Sequence, residues 1–294
     1  MELLAVVWDF DPVLVNIGGF EIRWYSLTWV AALLFGGWLF SYFCKREGKP
    51  QSVSDSTFLW IALGTIIGAR LGHCLFYDPM KYLSEPLTII TGIRGGGLAS
   101  HGAAIGIVLG IWISSRKNKV PVLWTADRLG IIAPLSGAMI RLGNLFNSEI
   151  YGHATDLPWG FKFKFAREYE GKDLEAIPAC HPTQLYEALC YIICFIVLFI
   201  LYRKTKLAER KGFIFGAAMV GIFLSRFLIE FIKNVQETYE KEWFFNTGQL
   251  LSLPFIVAGI IFMVYAWRHN NAVATEQATE PKVKIQKNKR HFKK

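Results

Sequence analysis

The 294-residue sequence has no Cys-x-x-Cys pair, no spaced cluster of His, Asp and Glu, and no Gly-x-x-x-x-Gly-Lys-Ser/Thr loop. Structural zinc, a metal-centred active site and a nucleotide phosphate cradle are therefore not implied, and no cofactor is expected. The five cysteines (Cys44, Cys74, Cys180, Cys190 and Cys194) fall mostly inside apolar stretches, so no disulfide framework is expected. The amino terminus lacks a basic region followed by an apolar core and a small-residue cleavage site, which leaves the first apolar stretch as the expected targeting signal. The second half does not mirror the first, so the inverted repeats of many transporters are not evident.

What the chain has is apolar length. Hydrophobic residues make up 53% and aromatics 15%, with a mean hydropathy of +0.32, which favours lipid over water as the solvent. Stretches at 24–42, 57–77, 95–113, 184–201, 212–232 and 249–267 each approach the roughly 20 residues that cross a bilayer. A further stretch, 120–146, carries Asp127, Arg128 and Arg141 in otherwise apolar sequence and reads as a span with polar ends. The expectation is an all-α integral membrane protein of about seven transmembrane helices. Residues 1–270 form its polytopic domain, 147–182 a small extracytoplasmic head and 271–294 a disordered basic tail. The alternating Phe161-Lys-Phe-Lys-Phe165 predicts a short strand in the head.

A net charge of +9 invites nucleic acid, but its placement argues otherwise. Basic residues gather at Lys45, Arg46 and Lys49, at 116–119, at 203–211 and in the tail, after the first, third, fifth and seventh spans. The remaining connections are mixed or acidic. The positive-inside rule then sets the amino terminus outside and the carboxy terminus in the cytoplasm, which requires an odd number of spans.

A charge at bilayer depth costs about 2.5–3.5 kcal/mol, so Arg70, Arg141, Arg226 and Glu230 need compensation. Arg70 either snorkels to the interface or serves a site. Arg226 and Glu230, at i and i+4, predict a pair that either neutralises both groups or aims a guanidinium at an anion. The densest polar run is 137–152, where Gly137, Arg141, Asn144 and Ser148 share one helical face. A guanidinium with neighbouring amides matches a phosphodiester; the plainer alternative is glue between helices. Gly95-Gly96-Gly97 predicts a turn or re-entrant backbone before His101, which is either structural or a proton-transfer group. The run 181–188 reads as a helix start with Glu187 in its first turn, and Arg23-Trp24-Tyr25 as an interfacial anchor. Glycines 64, 68 and 72, and 102, 106 and 110, each line one helix face for close packing. Together these residues point to an outward-facing site for an anionic lipid headgroup. An anion transporter or channel would instead spread polar groups toward both faces, and a phosphatase or headgroup transferase would need metal carboxylates or a phosphoryl-accepting histidine pair.

The same segments, in order from Arg23-Trp24-Tyr25 through Gly68-Ala-Arg70-Leu-Gly72, Gly96–Gly102, Arg141–Gly152, His181–Glu187 and Arg226–Glu230 to Gly248–Pro254, resemble the prolipoprotein diacylglyceryl transferase family. The resemblance covers nearly the whole membrane domain. Its specific element is Arg-Leu-Gly-Asn…Asn-x-Glu-x-x-Gly, here Arg141 to Gly152; Gly-Gly or His-Pro alone would be weak. It implies a bacterial inner-membrane enzyme that moves the sn-1,2-diacylglyceryl group from phosphatidylglycerol to the lipobox cysteine of prolipoprotein signal peptides, leaving a thioether and glycerol phosphate. It further implies that Arg141 and Arg226 hold the headgroup, that Asn144, Glu149, Gly152 and Glu230 shape the site, and that Tyr25 and His101 take part in catalysis. For His101, a general base and a headgroup ligand stay open. Ile140, Ser148 and Ser26 depart from glycines frequent in the family, without removing a reacting group.

Overall fold

Apolar runs ended by basic turns satisfy their backbone internally as helices, the arrangement lipid demands. The computed structural model describes residues 5–77, 79–92, 97, 99–234 and 245–279. It opens on three short strands, β1 (Val6–Trp8), β2 (Val13–Ile17) and β3 (Phe20–Arg23). Two long helices, α1 (Trp24–Arg46) and α2 (Gln51–Tyr77), lead to two short ones, α3 (Pro79–Ser84) and α4 (Thr88–Thr91). After α5 (Ser100–Lys117) and α6 (Val122–Phe146) comes β4 (Phe161–Phe163), then α7 (Thr183–Lys204), α8 (Phe213–Ile229) and α9 (Thr247–Thr279).

Six of these helices are long and apolar enough to cross a membrane among the described residues: α1, α2, α6, α7, α8 and α9. The protein is thus a multi-pass helical membrane protein, with large apolar side chains such as Trp38, Leu34 and Phe76 exposed on its outer surface. The seventh expected span is α5. It has 18 residues and carries serines and cations at its ends, which makes it the least apolar of the long helices.

Helix α5 is held by contact rather than by hydropathy. Gly64 faces Gly106, and Gly68 and Gly72 face Gly102, so closely that a Cβ on Gly72 would sit 2.7 Å from the Gly102 Cα. Backbone packing of this kind replaces the hydrophobic drive that lipid removes. The far ends of α2 and α5 are joined by a buried hydroxyl pair, Thr57 and Ser114, at 2.7 Å.

Helix α6 is the hub, packing against α1, α7 and α8. Its first half belongs to an apolar core built with Phe43, Leu198 and Ile214. Asp127 and Arg128, read from sequence as a polar helix end, are both buried ties between helices. Asp127 accepts hydrogen bonds from the Gly212 and Phe215 amides at 2.8 and 2.9 Å, satisfying orphan donors at the start of α8. Arg128 forks onto Glu47 at 2.7 Å, and the same carboxylate accepts from Trp124 Nε1 at 2.6 Å and Tyr202 Oη at 2.9 Å.

At the opposite end sits the small head. Strand β4 covers the first half of the 161–165 alternation and pairs in parallel with β1, a partner that sequence reading did not supply. Strands β2 and β3 form an antiparallel hairpin. Tyr151, Phe163 and Cys180 form the head's core, and Trp8 Nε1 donates to the Leu145 carbonyl at 3.0 Å, fixing the head to the end of α6. Burial pushes the Cys180 thiol up to about 11, so it stays protonated at neutral pH.

One boundary differs from expectation. Helix α9 runs on to Thr279, so residues 271–279 are helical rather than disordered; this stretch has no Gly or Pro and contains Ala, Glu and Gln, all competent helix formers. Residues 280–294, and Gly95 and Gly96, lie outside the described residues. Because the α2–α5 contact has no room for a side chain, Gly102→Leu is expected to destabilise the fold by at least the roughly 1–3 kcal/mol of an overpacked core. The readout is a lower thermal midpoint and lower yield in detergent than the unchanged chain.

Candidate active site

The head-facing ends of α6, α7 and α8 bring together the groups that sequence placed far apart. Helix α6 presents Gly137, Arg141 and Asn144 on one face. Gly137 admits the Tyr191 ring of α7, whose edge would lie 3.1 Å from a Cβ there. Ser148 does not share that face: α6 ends at Phe146, and Ser148 has a left-handed φ of 51°. A glycine accepts that backbone more readily, so Ser148 is held there with some strain.

Arg141 forms an ion pair through Nε with Glu187, which is fully buried on α7. Its Nη1 donates to Asn144 Oδ1 at 3.1 Å. Asn144 Nδ2 in turn donates to Glu149 at 2.8 Å. A carboxylate only accepts, so Glu149 fixes the amide with its oxygen toward the guanidinium. The loop carrying Glu149 is strained, with φ of 51° at Ser148 and 60° at Ile150. Two bonds from the first turn of α7 hold it there: Gln184 Nε2 to the Glu149 carbonyl at 2.7 Å, and Thr183 Oγ1 to the Ile150 carbonyl at 2.9 Å.

Glu187 does stand near the start of α7, but it is fully buried and turned toward the neighbouring helices. Its second oxygen accepts from Lys233 Nζ at 2.8 Å. Lys233 also holds Glu230 at 3.1 Å. The expected Arg226–Glu230 pair is absent among the described residues. The physical reason is local geometry. Helix α8 stops at Ile229 and the chain tightens into a 3-10 turn over Glu230–Ile232, where i and i+3 side chains eclipse and Glu230 meets Lys233. Gly248 of α9 leaves space for the displaced carboxylate; a Cβ there would lie 2.6 Å from its oxygen.

Gly152 and Tyr25 are positioned by contact. Gly152 forms a bridge with Lys233, and its amide donates to the His181 carbonyl at 2.9 Å. A Cβ at Gly152 would collide with the Ile232 carbonyl and lie 2.8 Å from Thr183 Cγ2. The Tyr25 ring lies against Gly143, within the Arg-Leu-Gly-Asn element. Arg226 is half-buried on α8, and its Nε is buried without an acceptor. Tyr191 lies within electrostatic reach of both Arg141 and Arg226.

Two expected groups stand apart. His101 is the second residue of α5, exposed, and makes no hydrogen bond or ion pair with this cluster among the described residues. Arg70 does not snorkel. It is 4% exposed and donates to the carbonyls of Ile89, Thr88 and Gly97, with the Tyr82 ring beneath its guanidinium.

Residues 12–265 match the family model described as prolipoprotein diacylglyceryl transferase. The chain belongs to that family. A phosphatidylglycerol--prolipoprotein diacylglyceryl transferase of Porphyromonas gingivalis is 46% identical over 268 residues, covering 89% of this chain and 94% of the relative. Proteins of the same name from Tolumonas auensis and Chloroherpeton thalassium are 41% and 38% identical, covering 87% and 88% of this chain and 96% and 93% of theirs. The matched region contains both the Arg141–Asn144 end of α6 and the loop after it that α7 clamps.

Sequence reading missed Lys233 and the inward role of Glu187. The available signals were a lysine three residues after Glu230 and a carboxylate four residues inside an apolar span. Gly152→Ala is expected to insert and remain helical by circular dichroism, because the collision falls on the 231–233 backbone and the His181 and Thr183 side chains at the helix ends rather than within a span. A displacement of about 1 Å costs on the order of 10²-fold in catalysis, so this variant should complement a bacterium depleted of its own family member poorly. Full complementation would show that the bridge to Lys233 is dispensable.

Proposed function

We propose that this chain is a phosphatidylglycerol–prolipoprotein diacylglyceryl transferase, acting at the head-facing end of its helices. On this reading it moves the sn-1,2-diacylglyceryl group of phosphatidylglycerol to the lipobox cysteine of a prolipoprotein signal peptide. That end faces outward across the bacterial cytoplasmic membrane, and the basic turns of α1, α5 and α7 face the cytoplasm. The observation that carries the proposal is that Arg226 has no ion-pair partner among the described residues, while Arg141 is held on one edge by Glu187 and Asn144. An unpaired guanidinium beside a braced one suits an anion that arrives with the substrate.

The reaction replaces a carbon–oxygen bond with a carbon–sulfur bond. The thiolate sulfur attacks the glycerol carbon bearing the phosphate oxygen, and the bonding pair leaves with glycerol phosphate. Negative charge grows on the departing phosphomonoester, so Arg141 and Arg226 facing it stabilise the transition state more than the substrate. Asn144, oriented by Glu149, fixes Arg141. Tyr25 packs on α6 at Gly143, on a different face of the helix from Arg141. The thiol proton must go to a base, because a free cysteine with pKa about 8.5 is only a few per cent thiolate near neutrality. His101, at the start of α5 on the same side of the helices, is assigned that role.

The direct test mixes purified protein, phosphatidylglycerol and a synthetic lipobox peptide, with mass spectrometry of the peptide. The expected product gains one diacylglyceryl group only when cysteine is present; no adduct would refute the assignment. Arg141→Ala and Arg226→Ala, inserted normally, should each lose on the order of 10²-fold or more, the scale of one oxyanion-site donor. Full activity in either would remove that residue from the headgroup site. His101→Gln should lower the rate about 10²- to 10⁴-fold and flatten the acidic limb of the rate–pH profile. An unchanged profile would make His101 structural.

A further inference from the structure

The charge cluster contains one cation with no place in the reading above. Lys233 is 3% exposed and touches two carboxylates from different elements, Glu187 of α7 and Glu230 at the end of α8. Burying a lysine is costly unless its charge is met on the spot. Two features set it there. The 3-10 turn aligns it with Glu230, and the bridge to Gly152, made by the His153 amide donating to the Ile232 carbonyl at 2.9 Å and the Asn234 amide donating to the Tyr151 carbonyl at 3.3 Å, fixes its backbone.

Its consequence falls on Arg226. Glu230 lies four residues beyond Arg226, the spacing at which a carboxylate and a guanidinium ordinarily pair on a helix. Glu230 is instead turned away onto Lys233, and Arg226 keeps a buried Nε without an acceptor. Glu187 is shared between Lys233 and Arg141, so the same lysine also limits how strongly Glu187 neutralises Arg141. We propose that Lys233 is a positioning residue that sequesters Glu230 and shares Glu187, keeping the guanidiniums of Arg226 and Arg141 available to the phosphodiester of the lipid substrate. This inference rests on the assignment of the two arginines to the headgroup. Lys233 itself touches no reacting atom.

The design makes Glu230 the antagonist, and that separates positioning from mere support. Without Lys233, Glu230 is a buried carboxylate four residues beyond Arg226, so it should compete with the phosphodiester for that guanidinium. Removing its charge as well should relieve the competition, while Glu187 keeps Arg141 as a partner.

The test is steady-state kinetics of the full chain in nanodiscs containing graded phosphatidylglycerol, with a lipobox peptide as acceptor. Lys233→Met is expected to raise KM for phosphatidylglycerol about tenfold, the equivalent of one lost charge-assisted hydrogen bond, with KM for the peptide unchanged. Lys233→Arg should stay within about threefold of the unchanged chain, because the cation is kept. Lys233→Met combined with Glu230→Gln should recover most of the lost lipid affinity. A purely structural lysine would move both KM values or only the active fraction, and the second substitution would not restore lipid affinity; either outcome overturns the proposal. If Lys233→Met fails to insert, the double variant decides, since it buries no unpaired carboxylate at position 230. Its lipid KM within about threefold of the unchanged chain supports the proposal, and a rise of tenfold or more overturns it. Arg226→Ala in the same assay tells the two levels apart. Unchanged lipid KM there refutes the headgroup assignment itself, whereas a rise in Arg226→Ala without one in Lys233→Met refutes only the role of Lys233.

Discussion

A carboxylate removed from water must be met by cations, and Glu187 is the point at which this protein meets that requirement. It is fully buried at the head-facing end of α7, between Arg141 of α6 and Lys233 beyond α8. Three helix ends are thereby joined through one charge. In an interior of low dielectric such pairing is costly to break from one side, so the register of these helices and the direction of Arg141 are set together. Asn144 and Glu149 extend the same chain of bonds into the signature loop.

The loop and the head serve this arrangement mechanically. Positive φ at Ser148 and Ile150 persists because the first turn of α7 binds the loop from the other side. Gly152 then brings the 231–233 backbone close enough for Lys233 to reach Glu187. The parallel pairing of β1 with β4, and the bond from Trp8 to Leu145, tie the amino-terminal strands to the end of α6.

The two ends of the bundle use buried charge differently. Away from the head, Glu47 and Asp127 are satisfied by Arg128, Trp124, Tyr202 and backbone amides, and the cluster binds helices to one another. At the head end, Arg226 Nε, Gln184 Oε1 and Gln249 Nε2 are buried without partners among the described residues. Buried polar atoms are ordinarily paired, so the two ends differ in how completely their buried polar groups are matched.

Apolar length by itself determined that this is a multi-pass helical membrane protein. The Arg141–Gly152 element determined its family, because both signals are local and read along the chain. The gathering of Arg141 with Asn144, and the glycine-lined faces of α2 and α5, were legible for the same reason: each follows from helical spacing, whereas the contact of those two faces with each other came only from the structure. The partner of Glu230 was not legible. The i+4 spacing favoured Arg226, but a turn of 3-10 geometry and the room left by Gly248 gave it to Lys233. Nor did sequence show that Glu187 faces inward, that Arg70 is held by carbonyls, or that β1 lies beside β4. These depend on which elements approach one another across long separations, and burial, which decides how a charge must be paired, exists only once the helices have packed.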